Sequence, residues 1–292
     1  PLDFNRPPAL YVEVGHTRLA YRTLGTGPDL VLVHGWPLTS ATFRQVAPLL
    51  ARSFRVHLFD LPGAGHTLTT DATPYGLAEH ASTLRAAIDE LGLTRYGLVA
   101  HDSGGVIARL IAADDPRVFG LVLAGSEIPG TKSPLLVALF MLTKTELGRI
   151  ALRKSLAVRA LRQSILGFGS CFHDVRKIEG EFADLFAHPL ATDDRWAAGQ
   201  MQLVNHFDWE VIEGLARAHR RIAAPTLLLW GDDDPYFPIE KARGMAPQFG
   251  GPVEISVIDR ARLFPHEEHP EIFAERSAAF LVRALDHGAS VA

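Results

Sequence analysis

The sequence predicts an α/β protein: a mostly parallel, doubly wound sheet interrupted by a helical segment. Three observations predict it. Short strand-like runs recur at residues 29–33, 55–59, 121–124, 226–230 and 253–258, and at the head of 96–105, and the nearly all-apolar 29–33 reads as a strand buried on both faces. Amphipathic patterns of helical period separate them at 40–50, 77–91 and 106–113, and from about Pro129 the alternation stops, leaving 135–220 helical without a strand-like run. Finally, His34-Gly35-Trp36, Asp102, Glu127 and Asp234 all fall where strands end, and open parallel sheets bind ligands at the carboxyl ends of their strands.

Residues 9–25 alternate and reverse at Gly15-His16 like an antiparallel hairpin at the sheet edge. The 29–33 strand stops at His34-Gly35, a helix is expected over 40–50, and the 55–59 strand follows. The amphipathic 77–91 helix precedes Tyr96-Gly-Leu-Val-Ala-His-Asp-Ser-Gly-Gly105, an apolar strand running into a tight turn and then a helix. After the helical stretch the alternation resumes with a helix near 239–245, a strand at 253–258 and a closing helix from Pro270 to Leu285. This divides the chain into a core of 1–128 and 221–292 and a helical cap of 129–220.

A chain of 292 residues with 47% hydrophobic content can bury a large core. Its net charge of −4 and pI near 6.4 argue against nucleic acid or an anionic membrane as the main partner, so a small-molecule substrate is expected, for a monomer or homodimer. The single cysteine, Cys171, cannot form an internal disulfide. No apolar run reaches the roughly 18 residues of a membrane span. Residues 1–10 lack the layout of a signal peptide, and a cytoplasmic location is expected. No metal or cofactor is expected.

The 96–105 stretch carries the chemistry. A strand-to-helix elbow needs small residues two before and two after its nucleophile, because the reversal brings main chains very close. Centring on Asp102 gives Ala100 and Gly104, whereas centring on Ser103 puts the His101 ring at a small position. Asp102 is therefore the expected nucleophile, against the common use of aspartate as a helix N-cap.

With His34-Gly35-Trp36-Pro37, Asp60-Leu61-Pro62-Gly63-Ala64-Gly65-His66, this elbow and Trp230-Gly231-Asp232-Asp233-Asp234-Pro235 in order, the chain resembles the α/β-hydrolase superfamily. Its aspartate-nucleophile branches, the haloalkane and fluoroacetate dehalogenases and the epoxide hydrolases, are the nearest. The resemblance implies that the amides of Trp36 and Ser103 form an oxyanion or leaving-group hole. It also implies that Asp234 orients a catalytic histidine, with Glu127 as the alternative acid. The family's histidine lies in a loop after the last strand, and aligning on Phe264-Pro265-His266-Glu267-Glu268 puts Leu263 in its place. His266 is then the replacement base, if the loop is rearranged.

Haloalkane dehalogenases usually hold the halide with a tryptophan after the nucleophile, a position taken here by Ser103. Trp36, or Trp196 and Trp209 of the cap, would have to donate instead. His34 and Leu263 complete the expected pocket. Epoxide hydrolases use cap tyrosines, and none of the five tyrosines lies in 129–220. Fluoroacetate dehalogenases place arginines soon after the nucleophile, where this chain has Gly104 to Ile107. The nearest expected activity is carbon–halogen hydrolysis. The alternative for a site without its histidine is ligand binding or a non-hydrolytic elimination, decarboxylation or cyclisation.

Overall fold

The computed structural model describes residues 2–289. Strands β1 (Leu10–Val14) and β2 (Thr17–Leu24) form the edge hairpin, with Gly15 in the left-handed conformation at the turn. The remaining strands are β3 (Asp29–Val33), β4 (Arg55–Phe59), β5 (Leu68–Thr69), β6 (Tyr96–His101), β7 (Val118–Ala124), β8 (Thr226–Gly231) and β9 (Val253–Ile258). The sheet order is β1-β2-β4-β3-β6-β7-β8-β9, with β5 added beside β2. β2 meets β4 antiparallel, and every pairing from β4 onward is parallel. β3 and β6 are neighbours although β4 comes between them in sequence, so the winding reverses at that pair, and ligand crevices of doubly wound sheets open at this switch point. Val33 is in register with Ala100, which brings the loops after both strands side by side.

β6, β7 and β8 are buried along their whole length, as their unbroken apolar runs require. β7 begins at Val118, earlier than its 121–124 signal. Gly120 masks the extension, since glycine is depleted in strands, and here it accommodates Leu281 and Ala284 of the closing helix Pro270–Ala289. The single helix expected over 40–50 is instead a 3₁₀ turn, Ser40–Phe43, and a short helix, Ala47–Leu50. Pro48 lacks an amide hydrogen, so it fits the first turn of the second helix and cannot lie inside a continuous one.

Between β7 and β8 the chain is helical, with helices Pro134–Thr143, Glu146–Ala157, Asp194–Asn205 and Trp209–Arg221 the longest. Thr145, Asp193 and Asp208 cap three of them by accepting amide hydrogens of the first turn. No helix is long and apolar enough to cross a membrane among the described residues.

Candidate active site

Asp102 ends β6 and precedes helix Ser103–Asp114 with φ 50° and ψ −138°, a conformation that L-residues rarely adopt. The turn is over-determined by its neighbours. The Asp102 amide donates to the carbonyls of Ala124 (3.2 Å) and Gly125 (2.8 Å), while the Asp102 carbonyl accepts from Gly105 N–H and Ser126 Oγ, both at 2.8 Å. A side chain at Gly104 would overlap the carbonyl oxygens of Val33 and His34, which is the close approach that the elbow spacing demands. A Cβ on Gly35 would lie 2.5 Å from Asp102 Oδ2, so only glycine lets the β3 loop reach the carboxylate.

That approach puts the Trp36 amide 2.8 Å from Asp102 Oδ2 and 3.0 Å from Ser103 Oγ. Burial pushes the Asp102 pKa well up and the nearby Glu127 charge adds to this, against hydrogen bonds from Ser103 and Trp36 that favour the anion. Glu127 is itself buried and raised. Its carbonyl accepts from Arg109 Nη1 at 2.8 Å, and Arg109 Nη2 donates to Ser126 Oγ at 2.7 Å. The buried Arg109 thus braces the β7 loop from behind rather than entering a pocket.

Asp234 follows β8. Its Oδ1 accepts the amides of Tyr236 (2.8 Å) and Phe237 (3.0 Å), whereas Oδ2 is buried without a hydrogen-bond partner. Burial raises the Asp234 pKa to about 7 despite those two amides. The bare oxygen and the Leu263 side chain flank one point: a Cβ built on Gly125 would be 3.2 Å from Asp234 Oδ2 and 3.1 Å from Leu263 Cδ1. A hydrocarbon side chain, which cannot hydrogen-bond, thus lies near the bare oxygen.

His266 is not brought to this site. Its Nε2 pairs with Thr42 Oγ1 at 2.7 Å, and its ring packs 4.2 Å from that of His101 and 5.3 Å from that of Phe43, wholly buried. Burial and then Arg44 lower its pKa to about 3. The following acids are anchors. Glu267 takes two hydrogen bonds from Arg44 Nη1, and Glu268 accepts the amides of His173, Asp174 and Arg262, tying the 259–264 loop to the helical insertion. The loop geometry that would admit His266 is thus already committed to other contacts.

A cavity of about 620 Å³ opens above Asp102, lined mainly by apolar side chains of the insertion, with Trp36, Leu263 and Phe264 from the sheet side. His34, Glu127, Trp196 and Trp209 do not line it. His34 accepts the Leu61 amide at 2.9 Å, and Asp60 accepts from Ser40 and His66, so these motif residues hold loops in place. Trp196 lies edge-on to His66, and Trp209 packs among Phe140 and Phe207 with Lys132 over its ring. The Trp36 indole N–H is occupied by the Gln200 carbonyl at 2.8 Å. The tryptophan donors expected for a halide are therefore all directed elsewhere. No motif pointed to Cys171 and Tyr236, which line the cavity from distant segments. Burial raises the pKa of both, and Asp102 adds to the rise in each. Among the described residues no cluster of His, Cys, Asp and Glu is placed to hold a metal ion.

The profile of the alpha/beta hydrolase fold family matches residues 28–270. The chain belongs to this family. Among relatives of this hydrolase-fold chain, the pimeloyl-acyl-carrier-protein methyl ester esterase of Vibrio atlanticus is 28% identical over 278 residues, 91% of this chain and 93% of that one. An uncharacterized protein of Mycobacterium tuberculosis is 27% identical over 287 residues, 94% of this chain and 82% of that one. An alpha/beta hydrolase fold protein from Burkholderia ambifaria superposes with a TM-score of 0.78 at 25% identity, covering 94% of this chain and 97% of that one. The same fold recurs in the epoxide hydrolase CorEH (TM-score 0.78, 20% identity, 94% and 98% covered). It recurs too in the haloalkane dehalogenase DbeA of Bradyrhizobium elkani (0.77, 22%, 95% and 98%).

Proposed function

We propose that this α/β-hydrolase uses Asp102 as a carbon-directed nucleophile on a small, mostly apolar substrate held beneath the 129–220 segment, which acts as its cap. One carboxylate oxygen attacks a saturated carbon, the bond to the leaving group breaks with its electron pair, and an aspartyl ester remains. Carbon–halogen cleavage is the nearest named reaction. In hydrolysis of that ester, water would add to the acyl carbon and the amides of Trp36 and Ser103 would carry the negative oxygen. The observation that carries the reading is a carboxylate at the elbow, touched by the Trp36 amide and facing an apolar cavity.

The second step lacks its base. Leu263 beside the bare Asp234 oxygen leaves nothing to take the proton from water, and removing a triad base costs on the order of 10⁴ to 10⁶ in turnover. The ester is then expected to persist.

One observation favours an epoxide as the electrophile. Tyr236 lines the cavity that opens above Asp102, and ring opening leaves an alkoxide that a phenol can protonate. The leaving oxygen stays attached to the product carbon, so the adduct retains it.

Intact mass after incubation with haloalkanes, haloacids, epoxides and esters, with halide or acid release followed in parallel, tests the reading. A stoichiometric adduct mapping to Asp102 and absent from Asp102→Asn supports it, and its mass separates halide loss from epoxide opening. Leu263→His is expected to release the adduct and raise turnover by about 10²-fold or more. Absence of both adduct and turnover in wild type and in Leu263→His would instead favour ligand binding or non-hydrolytic chemistry.

A further inference from the structure

We propose that the cap face formed by residues 132–166 docks on an anionic lipid surface, so that apolar substrate enters the cavity from that surface. Thirteen large hydrophobic residues are exposed among the described residues, and nine of them fall in this short stretch, including Met141, Leu147, Ile150, Val158, Ile165 and Leu166. Such clustering marks an interaction surface, whereas scattered exposed apolar residues need no explanation.

The helices present these residues on their outer faces. Val137, Met141 and Leu142 are exposed on Pro134–Thr143, while Leu136 of the same helix is buried and lines the cavity. Leu147 and Ile150 continue the outer face along Glu146–Ala157, whose inner residues Leu152 and Leu156 also line the cavity. Ile150 belongs to both surfaces, so the exposed patch is continuous with the cavity.

Charge selects the occupant. The whole chain is acidic at −4, yet residues 129–168 carry seven Lys or Arg and one acid, Glu146. Several of these cations are neutralised by neighbouring acids: Lys132 by Glu213, Arg153 by Asp194, and Arg159 and Arg162 by Glu179. Among the described residues Lys144, Arg149 and Lys154 have no acidic partner within 4.0 Å, and the Arg149 side chain donates to the Thr143 carbonyl. A patch of exposed Leu, Ile, Val and Met carrying unneutralised cations matches the interface of an anionic bilayer, where apolar side chains enter the acyl boundary and cations remain at the headgroups. A second copy of the chain would bring the same cations face to face. Docking stands independently of the Asp102 reaction, because vesicle binding is read without turnover.

Sedimentation of the full chain with phosphatidylcholine vesicles, with and without about 30 mol % phosphatidylglycerol, tests this. Binding is expected to the anionic vesicles, weakly or not at all to the neutral ones, and to fall with added salt. Leu147 and Ile165 are 80% and 65% exposed, so Leu147→Glu with Ile165→Glu leaves the core intact, which circular dichroism checks. That pair, and separately Lys144→Glu with Lys154→Glu, should each cut binding roughly tenfold or more. Three results would overturn the proposal: absence of binding to anionic vesicles, unchanged binding in both variant pairs, or a dimer by light scattering that the same substitutions dissociate.

Discussion

Two carboxyls at the ends of β6 and β8 decide what this site can do. The sequence singled out Asp234 by its motif and Leu263 by the spacing to Phe264-Pro265-His266-Glu267-Glu268, and in the structure both approach Gly125, with one Asp234 carboxylate oxygen bare. The cost is pH-dependent. A carboxyl whose pKa rises from 3.8 to about 7 on folding adds stability below the unfolded value and loses it as pH rises through the folded one. Asp234→Asn keeps an oxygen for the amides of Tyr236 and Phe237 but cannot ionise. Its melting temperature should therefore gain on wild type between about pH 5 and about pH 8.5, and a gap independent of pH would contradict the assignment. At Asp102, the proposed nucleophile, burial raises the pKa and the nearby Glu127 charge adds to the rise, opposing ionisation. With Glu127→Gln, the acid limb of the adduct-forming rate should move to lower pH, read from rate against pH on a substrate that labels. Cys171 and Tyr236 were invisible beforehand because neither sits in a motif, and only folding brings their segments together.

At the level of the element, the elbow was readable because steric demand writes itself into sequence as small residues: Gly104 faces two carbonyls and Gly35 faces Asp102. The 259–264 loop was not. The motif after it does open a short helix, Pro265–Glu268, but Glu268 also stitches the loop to the insertion by accepting three amides. Glu268→Gln would turn an NH₂ group toward at least one of those amides, leaving a partly buried donor unpaired. The expected loss is about 1–3 kcal/mol in chemical denaturation. Because the same loop carries Leu263 into the cavity wall, adduct formation at Asp102 should slow in this variant even where it remains folded. The helix expected over 40–50 was misread for a simpler reason: hydrophobic period says nothing about the amide that Pro48 lacks.

For the whole molecule, the alternation of buried strands and helices made a parallel sheet legible but not its strand order, in which the winding reverses between β3 and β6 beside Asp102. Net charge was a poorer guide. A sum over 292 residues conceals a cationic, apolar face on residues 132–166 within an acidic chain, because charge acts locally over about a Debye length. The wall of the cavity was equally hidden, since helical period identifies the insertion's inner faces without saying which of them meet over the sheet.

The unpartnered oxygen of Asp234 also changes what a population of these molecules would report. An enzyme that resets after each event registers a rate, which disappears when its substrate does. A chain that esterifies Asp102 once and cannot reset registers a dose: the labelled fraction grows with every electrophile met and declines only as protein is degraded and replaced. Its abundance, rather than its speed, would then set how much it can remove.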